Sequence, residues 1–252
     1  MTLLLAACAH PRLVLPADAG ASLPDFQRIH ADVTSSCAGV RTLTAELGLS
    51  GRAGRLRLRG RVVAGLSRDS SMRLEGVAPF GPPVFILAAT AQTTVLLLPR
   101  DARVLRGTRA EDVLGALTGV ALSPADLLAV LTGCVAPSSE AVRGRLHGNG
   151  WASVDLATGA TLYLQKRGNL WHLRAARRAG WQIEYQFEAG AFPRSVRLQA
   201  DDDALSVDVT ATLSQVETNV DLDANAFAVA VPTDAVPMTL EELRRSGPLG
   251  DR

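Results

Sequence analysis

Net charge is almost absent from this chain of 252 residues: 26 basic side chains face 25 acidic ones, leaving a formal charge of +1. Such a balance gives no reason to expect a nucleic-acid partner, whose phosphates call for a clustered basic field. Long apolar runs are absent too; none reaches about 18 residues, which excludes a spanning helix. The apolar fraction is nonetheless 47% and the mean hydropathy +0.15. An apolar cavity lined by the protein's own side chains would reconcile the two. Lysine is almost missing, with Lys166 the sole example, a composition bias that carries little functional information. A chain of this length buries a sizeable core without a metal or a disulfide framework, and one domain is expected.

Catalytic signatures are missing as well. His10, His30, His147 and His172 are scattered, with no carboxylate or cysteine at metal-ligand spacing. No G-x-S-x-G, phosphate-binding loop or dinucleotide fingerprint occurs. Arg143–Gly150 is glycine-rich, but without a preceding parallel strand and a following helix it is expected to be a loop. Cys134 paired with His147 or His172 is a remote nucleophile candidate. No enzyme activity, metal or cofactor is expected.

Met1-Thr2-Leu3-Leu4-Leu5-Ala6-Ala7-Cys8 is a short apolar run that ends in small residues before a cysteine, and it resembles the lipobox of bacterial lipoproteins. The resemblance implies cleavage before Cys8 and its acylation, at roughly 0.8 kcal/mol of membrane attachment per buried CH₂. It departs from a full signal peptide in lacking Lys or Arg before the run and in the brevity of the run. Ala9, standing where Asp is absent, implies an outer-membrane address facing the periplasm. The expected layout is a signal segment over 1–8, a tether over 9–21, a domain over 22–245 and a tail over 246–252.

The other two of the three cysteines leave two readings open. Cys37 is in helical register with Phe26, Ile29 and Val33, and Cys134 follows the end of another helix. They form either a disulfide, worth up to about 4–5 kcal/mol in the chain-entropy model, or two ordinary buried thiols.

Along the chain, Ser22-Leu23-Pro24 is expected to open a helix of about 13 residues. Alternating strands follow over 42–49 and 55–66, the second setting Arg55, Arg57, Arg59 and Arg61 opposite an apolar face. That arginine row is expected to be a solvated strand face. Strands over 72–77, 84–89 and 94–98 come next, the last two apolar on both faces and therefore covered on both sides. Thr108–Glu111 has the form of a capping box, Ser123-Pro124 that of an N-cap with proline at the first helical position, and Thr239–Glu242 that of a second box. Further strands are expected over 151–156, 160–166, 170–177, 181–188, 193–200 and 204–216. Asp201–Asp203 is expected to be a solvated hairpin turn. The fold class is mainly β with α: an incomplete, unclosed antiparallel barrel of about eleven strands, with helices covering the concave side.

The stretch Ser71-Met72-Arg73-Leu74-Glu75-Gly76-Val77-Ala78-Pro79-Phe80-Gly81, with Ala110–Gly119 and the Pro124 helix ending Leu131-Thr132-Gly133, resembles the LolB family of outer-membrane lipoprotein receptors. It is also similar to lipoproteins of unknown function that share that LolA/LolB-type fold. The resemblance implies a half-barrel that holds acyl chains, with a protruding apolar side chain on the loop after the third strand that aids insertion into the membrane. Pro79, Phe80 and Gly81 match that loop, and Phe80 takes the protruding position, where a phenyl ring suits a bilayer interface. Val84, Phe85, Ile86, Leu96, Leu98, Leu114, Leu117, Leu128 and Leu131 are expected to wall the cavity.

Two functions follow. The first is a monomeric, membrane-anchored lipoprotein that takes acyl lipid or a lipidated protein from a soluble periplasmic LolA-like chaperone and passes it to the outer membrane. The second is a non-transporting envelope lipoprotein that uses the same fold to bind a partner protein, as a sensor or assembly factor.

Overall fold

The computed structural model describes residues 12–136, 138–188, 190–200 and 206–246. Cys8 and Asp201–Asp203 lie outside them. The elements in chain order are β1 (Ala21–Ser22), α1 (Phe26–Ala38), β2 (Thr42–Ala53), β3 (Leu56–Ser67), β4 (Met72–Val77), β5 (Ile86–Ala89), β6 (Thr94–Leu98) and β7 (Arg103–Arg106). Helices α2 (Ala110–Thr118) and α3 (Pro124–Thr132) interrupt the strands, which resume with β8 (Ala141–His147), β9 (Trp151–Leu156), β10 (Thr161–Arg167), β11 (Leu170–Arg178) and β12 (Trp181–Gln186). β13 (Ser195–Ala200), β14 (Val207–Thr218), a 3-10 turn (Ala224–Phe227), β15 (Val236–Pro237) and α4 (Leu240–Ser246) complete the chain.

The 15 strands among the described residues join one sheet in the order β1-β8-β9-β10-β11-β12-β13-β14-β2-β3-β4-β5-β6-β7-β15. Every pairing is antiparallel except that of β15 with β7. The edge strands β1 and β15 do not pair with each other, so the sheet is unclosed, and its long row of neighbours forces it to curl.

The pleat divides the sheet cleanly. In one register row Leu58, Val209, Leu198, Ile183, Leu162 and Val154 all face the interior and are buried. One residue along each strand, Arg57, Arg52, Asp208, Gln199, Gln182 and Arg177 form the matching outer row. This is period-two patterning carried across much of the sheet.

Several local expectations need correction. The sheet has more than the expected number of strands because β1 and β15 are two residues each, β7 is four, and β8 replaces an expected loop. Residues 143–147 of the glycine-rich stretch pair with β9, and only the residues after them turn. Gly144 is a packing glycine: a Cβ there would stand 2.3 Å from Cβ of Phe26, so its absence lets α1 lie against the strand. α1 has the expected length but starts at Phe26 with Asp25 at its N-cap, because Ser22 is used in β1. The Thr108 box does not form: Arg109 is the N-cap of α2, without a side-chain cap bond, and its guanidinium pairs with Glu111 instead. The strand expected from Val84 begins at Ile86.

Other signals have the expected outcome. Ser123 accepts from the Asp126 amide at 3.1 Å, and Thr239 and Glu242 bond reciprocally, with the Thr239 amide donating at 2.7 Å and the Glu242 amide at 3.2 Å.

Residues 12–22, part of which was expected to be a tether, cross the outer face of the sheet. The Leu13 amide donates to Glu184 Oε1 and its carbonyl accepts from Gln182 Nε2, at 2.8 and 2.9 Å. Leu15 is buried against Tyr163 and Ala175, and Asp18 meets Nδ1 of His147 at 2.9 Å before Ala21 pairs with Leu146. At the other side, the segment after β14 lies on the outer face of β4, where the Arg73 guanidinium donates to the carbonyls of Ala226 and Ala228.

Candidate functional site

The concave wall opposite α2 and α3 is built by inward positions of β2–β7. Ala45, Ala64, Leu74, Leu87, Leu96 and Leu105 form one such row. Phe85 extends the wall from the loop before β5. Its ring lies within 2.6 Å of where a Cβ of Gly76 would be, so the glycine makes room for it, while the Gly76 amide donates to the Phe85 carbonyl at 3.0 Å.

Of the nine side chains expected to wall a cavity, Phe85, Leu96, Leu98, Leu114, Leu117, Leu128 and Leu131 are buried in one contiguous core, and Val84 packs partly buried against it. Ile86 is different. It pairs with Glu75 and Leu97 on the outer side, since inward-facing Phe85 and Leu87 flank it in the alternation. The interior is therefore filled by these side chains. Leu128 also borders a cavity of about 390 Å³ with Cys37, Val40, Thr132, Cys134 and Val135, beside the junction of α1 and α3.

α3 is held at both ends. The Arg178 guanidinium lies 2.6 Å from Asp126 Oδ1 in its first turn and donates to the Val135 carbonyl, just past its end, at 2.9 Å. Cys134 is bonded to Cys37 of α1, with the Cα atoms 5.8 Å apart. A disulfide sulfur is no nucleophile, and His147 is engaged by Asp18 and Ser153. Among the described residues α2 has no such ion pair or disulfide to the sheet; Val113, Leu114 and Leu117 hold it in the apolar core, and it packs against α4.

Tyr185, on the inner side of β12, is a buried polar side chain whose environment sequence reasoning missed. Its place in the alternation Trp181, Ile183, Tyr185 marks it as inward-facing, yet nothing in the sequence shows what its hydroxyl meets. In the structure the ring is fully buried and the hydroxyl has no hydrogen-bond partner among the described residues. Burial pushes its pKa far above the phenol range, so it stays a neutral donor.

The loop over Pro79, Phe80 and Gly81 stands out from the end of β4. Phe80 is 89% exposed, the largest value among the exposed large hydrophobics described. Arg100 Nη2, from the turn after β6, donates to the Phe80 carbonyl at 2.7 Å, and Gly81 takes a φ of +78° that turns the chain. The ring thus stands in water on a turn that Arg100 ties to the end of β6. Among the described residues no helix is long and apolar enough to cross a membrane.

No protein-family model and no curated protein matches the chain. Among solved structures the chain is similar to a LolA superfamily protein from Nitrosomonas europaea, 11% identical with a TM-score of 0.49, covering 79% of this chain and 96% of that one. It is similar to a DUF1329 family protein from Desulfovibrio piger, 12% identical with a TM-score of 0.48, covering 81% and 95%. It is similar also to the lipoprotein LppX of Mycobacterium tuberculosis, 10% identical with a TM-score of 0.34, covering 80% and 100%.

Proposed function

We propose that this chain is a lipoprotein, anchored to the outer membrane through Cys8 on its periplasmic side, that takes up the acyl chains of a lipid or lipidated protein and passes them to the bilayer. The observation that carries this reading is Phe80, a large apolar side chain left almost wholly in water on a turn whose carbonyl Arg100 engages. Exposing one phenyl ring forgoes about 2 kcal/mol of burial, a cost that makes sense where the ring has a second, apolar environment to enter.

The acyl site is the concave side between α2, α3 and the inner face of β3–β6. Its side chains fill the space in this state, and uptake displaces α2, which lacks the ties that hold α3. Farther round the sheet, on β12, the Tyr185 hydroxyl is a buried donor without a partner among the described residues, which suits the ester or amide carbonyl of a ligand that extends that far. A soluble LolA-like chaperone is the donor, and the protein works as a monomer.

A second reading has an observation of its own. Phe85, Leu96, Leu117 and Leu131 satisfy one another in a contiguous core, which is also what a non-transporting lipoprotein binding a partner protein would need. Native mass spectrometry separates the two, using the full chain with Cys8→Ser, exported to a bacterial periplasm and purified without detergent. Transport requires an acyl-lipid adduct that is released on unfolding and lost in Leu117→Gln or Leu128→Gln variants that keep their circular dichroism. An unliganded mass from folded protein favours partner binding. Where the adduct is present, Phe80→Glu abolishes delivery to vesicles without removing it.

A further inference from the structure

The arginines of β3 lie beside the Phe80 loop. Arg61 pairs with Val77, the last residue of β4, and β3 continues beyond that point to Leu56 with β2 as its partner. Arg59 and Arg57 are outer-face positions on that continuation, and Arg55 is in the turn that follows. All three are exposed, and among the described residues none forms an ion pair or a side-chain hydrogen bond. Arg61, one step back, is paired with Glu46 at 3.2 Å.

Two more exposed apolar side chains belong to the same end of the sheet. Leu56 is 37% exposed at the hairpin end, and Val236 is 55% exposed where its amide donates to the Ala102 carbonyl, in the turn that carries Arg100. The N-terminal segment arrives here too: the Arg12 charge acts on Asp208, which is the register partner of Arg52 in β2. Three residues lie between Cys8 and Arg12, so the four Cα–Cα steps reach at most about 14 Å. An acyl anchor on Cys8 would hold this end of the sheet against the membrane.

We infer that Arg55, Arg57 and Arg59 dock the protein on the phosphates of anionic phospholipids, alongside Phe80 as it enters the acyl layer. The inference rests on the membrane role proposed for Phe80. Guanidinium groups match phosphodiester oxygens in a fixed fork and are only weakly hydrated, so they transfer to a headgroup layer at low cost. A bilayer suits the grouping better than a nucleic acid does. The chain as a whole has almost no net field, and this end offers isolated apolar tips in place of a series of aromatic stacking platforms.

The test uses the full chain with Cys8→Ser, so that no anchor contributes, in cosedimentation with vesicles of phosphatidylcholine alone or mixed with phosphatidylglycerol. The parent is expected to bind the anionic vesicles and to release them near 1 M salt, where the screening length is only about 3 Å. Each arginine near an anionic surface is worth about fivefold, so the triple Arg→Gln variant should lose about a hundredfold. The triple Arg→Lys variant keeps the charge without the fork and should bind between the parent and the Gln variant, and unchanged circular dichroism of both variants separates the effect from misfolding. Unchanged binding by the Gln variant overturns the inference, as does complete competition by millimolar inorganic phosphate or a preference for single-stranded RNA or an acidic peptide. If Phe80→Ser changes nothing while the Gln variant loses anionic binding, the docking surface stands and the role of Phe80 falls. An acyl-lipid adduct that persists with normal vesicle binding by the Gln variant gives the converse.

Discussion

Arg178 and Asp126 stand 2.6 Å apart, fastening the first turn of α3 to the end of β11. Each side chain is about a third exposed, 31% and 32%, so water screens part of the attraction. Arg178→Met also removes the donor to the Val135 carbonyl. The expected cost is about 1–2 kcal/mol, measured by urea unfolding. Amide exchange over α3 should quicken more than exchange in β2 and β3, because the loss is local before it is global. Equal acceleration everywhere would show that Arg178 supports the whole fold and does not act as a latch.

The bond between Cys37 and Cys134 closes a loop across a sequence separation of 97. In the chain-entropy model a loop of that size is worth about 4–5 kcal/mol, and measured effects of native disulfides run at about 2–4 kcal/mol. Replacing both cysteines by serine should therefore lower the urea midpoint clearly, and a reductant should do the same to the parent and nothing to the double variant. A midpoint insensitive to reduction would mean that α1 and α3 are held by packing alone.

Tyr185 carries a hydroxyl that is buried without a partner among the described residues. Removing such a group relieves a desolvation cost, so Tyr185→Phe is expected to stabilise the protein by about 1 kcal/mol. If the hydroxyl meets an acyl ester in the loaded state, the same variant should lose lipid adduct several-fold in native mass spectrometry. Destabilisation by Tyr185→Phe would instead reveal a water or protein partner for that oxygen.

Much of this architecture is legible in the sequence because it is written in periodicity. Met72–Val77 alternates and forms β4, Thr94–Leu98 is continuously apolar and forms a strand buried deep in the sheet, and Ser123-Pro124 caps α3 as its residue types demand. What resisted reading depends on partners distant in the chain. Gly144 looks like a loop glycine until Phe26 is seen against it. Residues 12–21 look like a tether until Glu184 and His147 receive them. Thr108 has the spacing of a capping box, yet Arg109 takes the N-cap position. Of the candidate residues, the exposure of Phe80 matches its loop position and the burial of Leu114, Leu117, Leu128 and Leu131 follows their helical spacing. Ile86 was misplaced because a run that is apolar on both faces hides which residues point inward.

Acid should loosen the C-terminal helix at a definable point. Glu242 accepts from the Thr239 amide, from Arg103 at 3.1 Å and from the Thr239 hydroxyl at 3.0 Å, and these donors lower its pKa from 4.5 to about 2. A carboxylate whose folded pKa is depressed contributes stability that is fully present above its ordinary value and is lost as the pH falls through the folded one. The window is therefore from pH 4.5 down to about 2. Because Leu243 is fully buried and continues to hold α4, protonation should fray the first turn and leave the helix docked. A carboxyl-carbon NMR titration of Glu242 should show the low midpoint. Arg103→Met should raise it, and Glu242→Gln should make amide exchange in α4 independent of pH over that window once intrinsic rates are removed. A midpoint at the ordinary value would mean that the box and the Arg103 pair do not persist in solution.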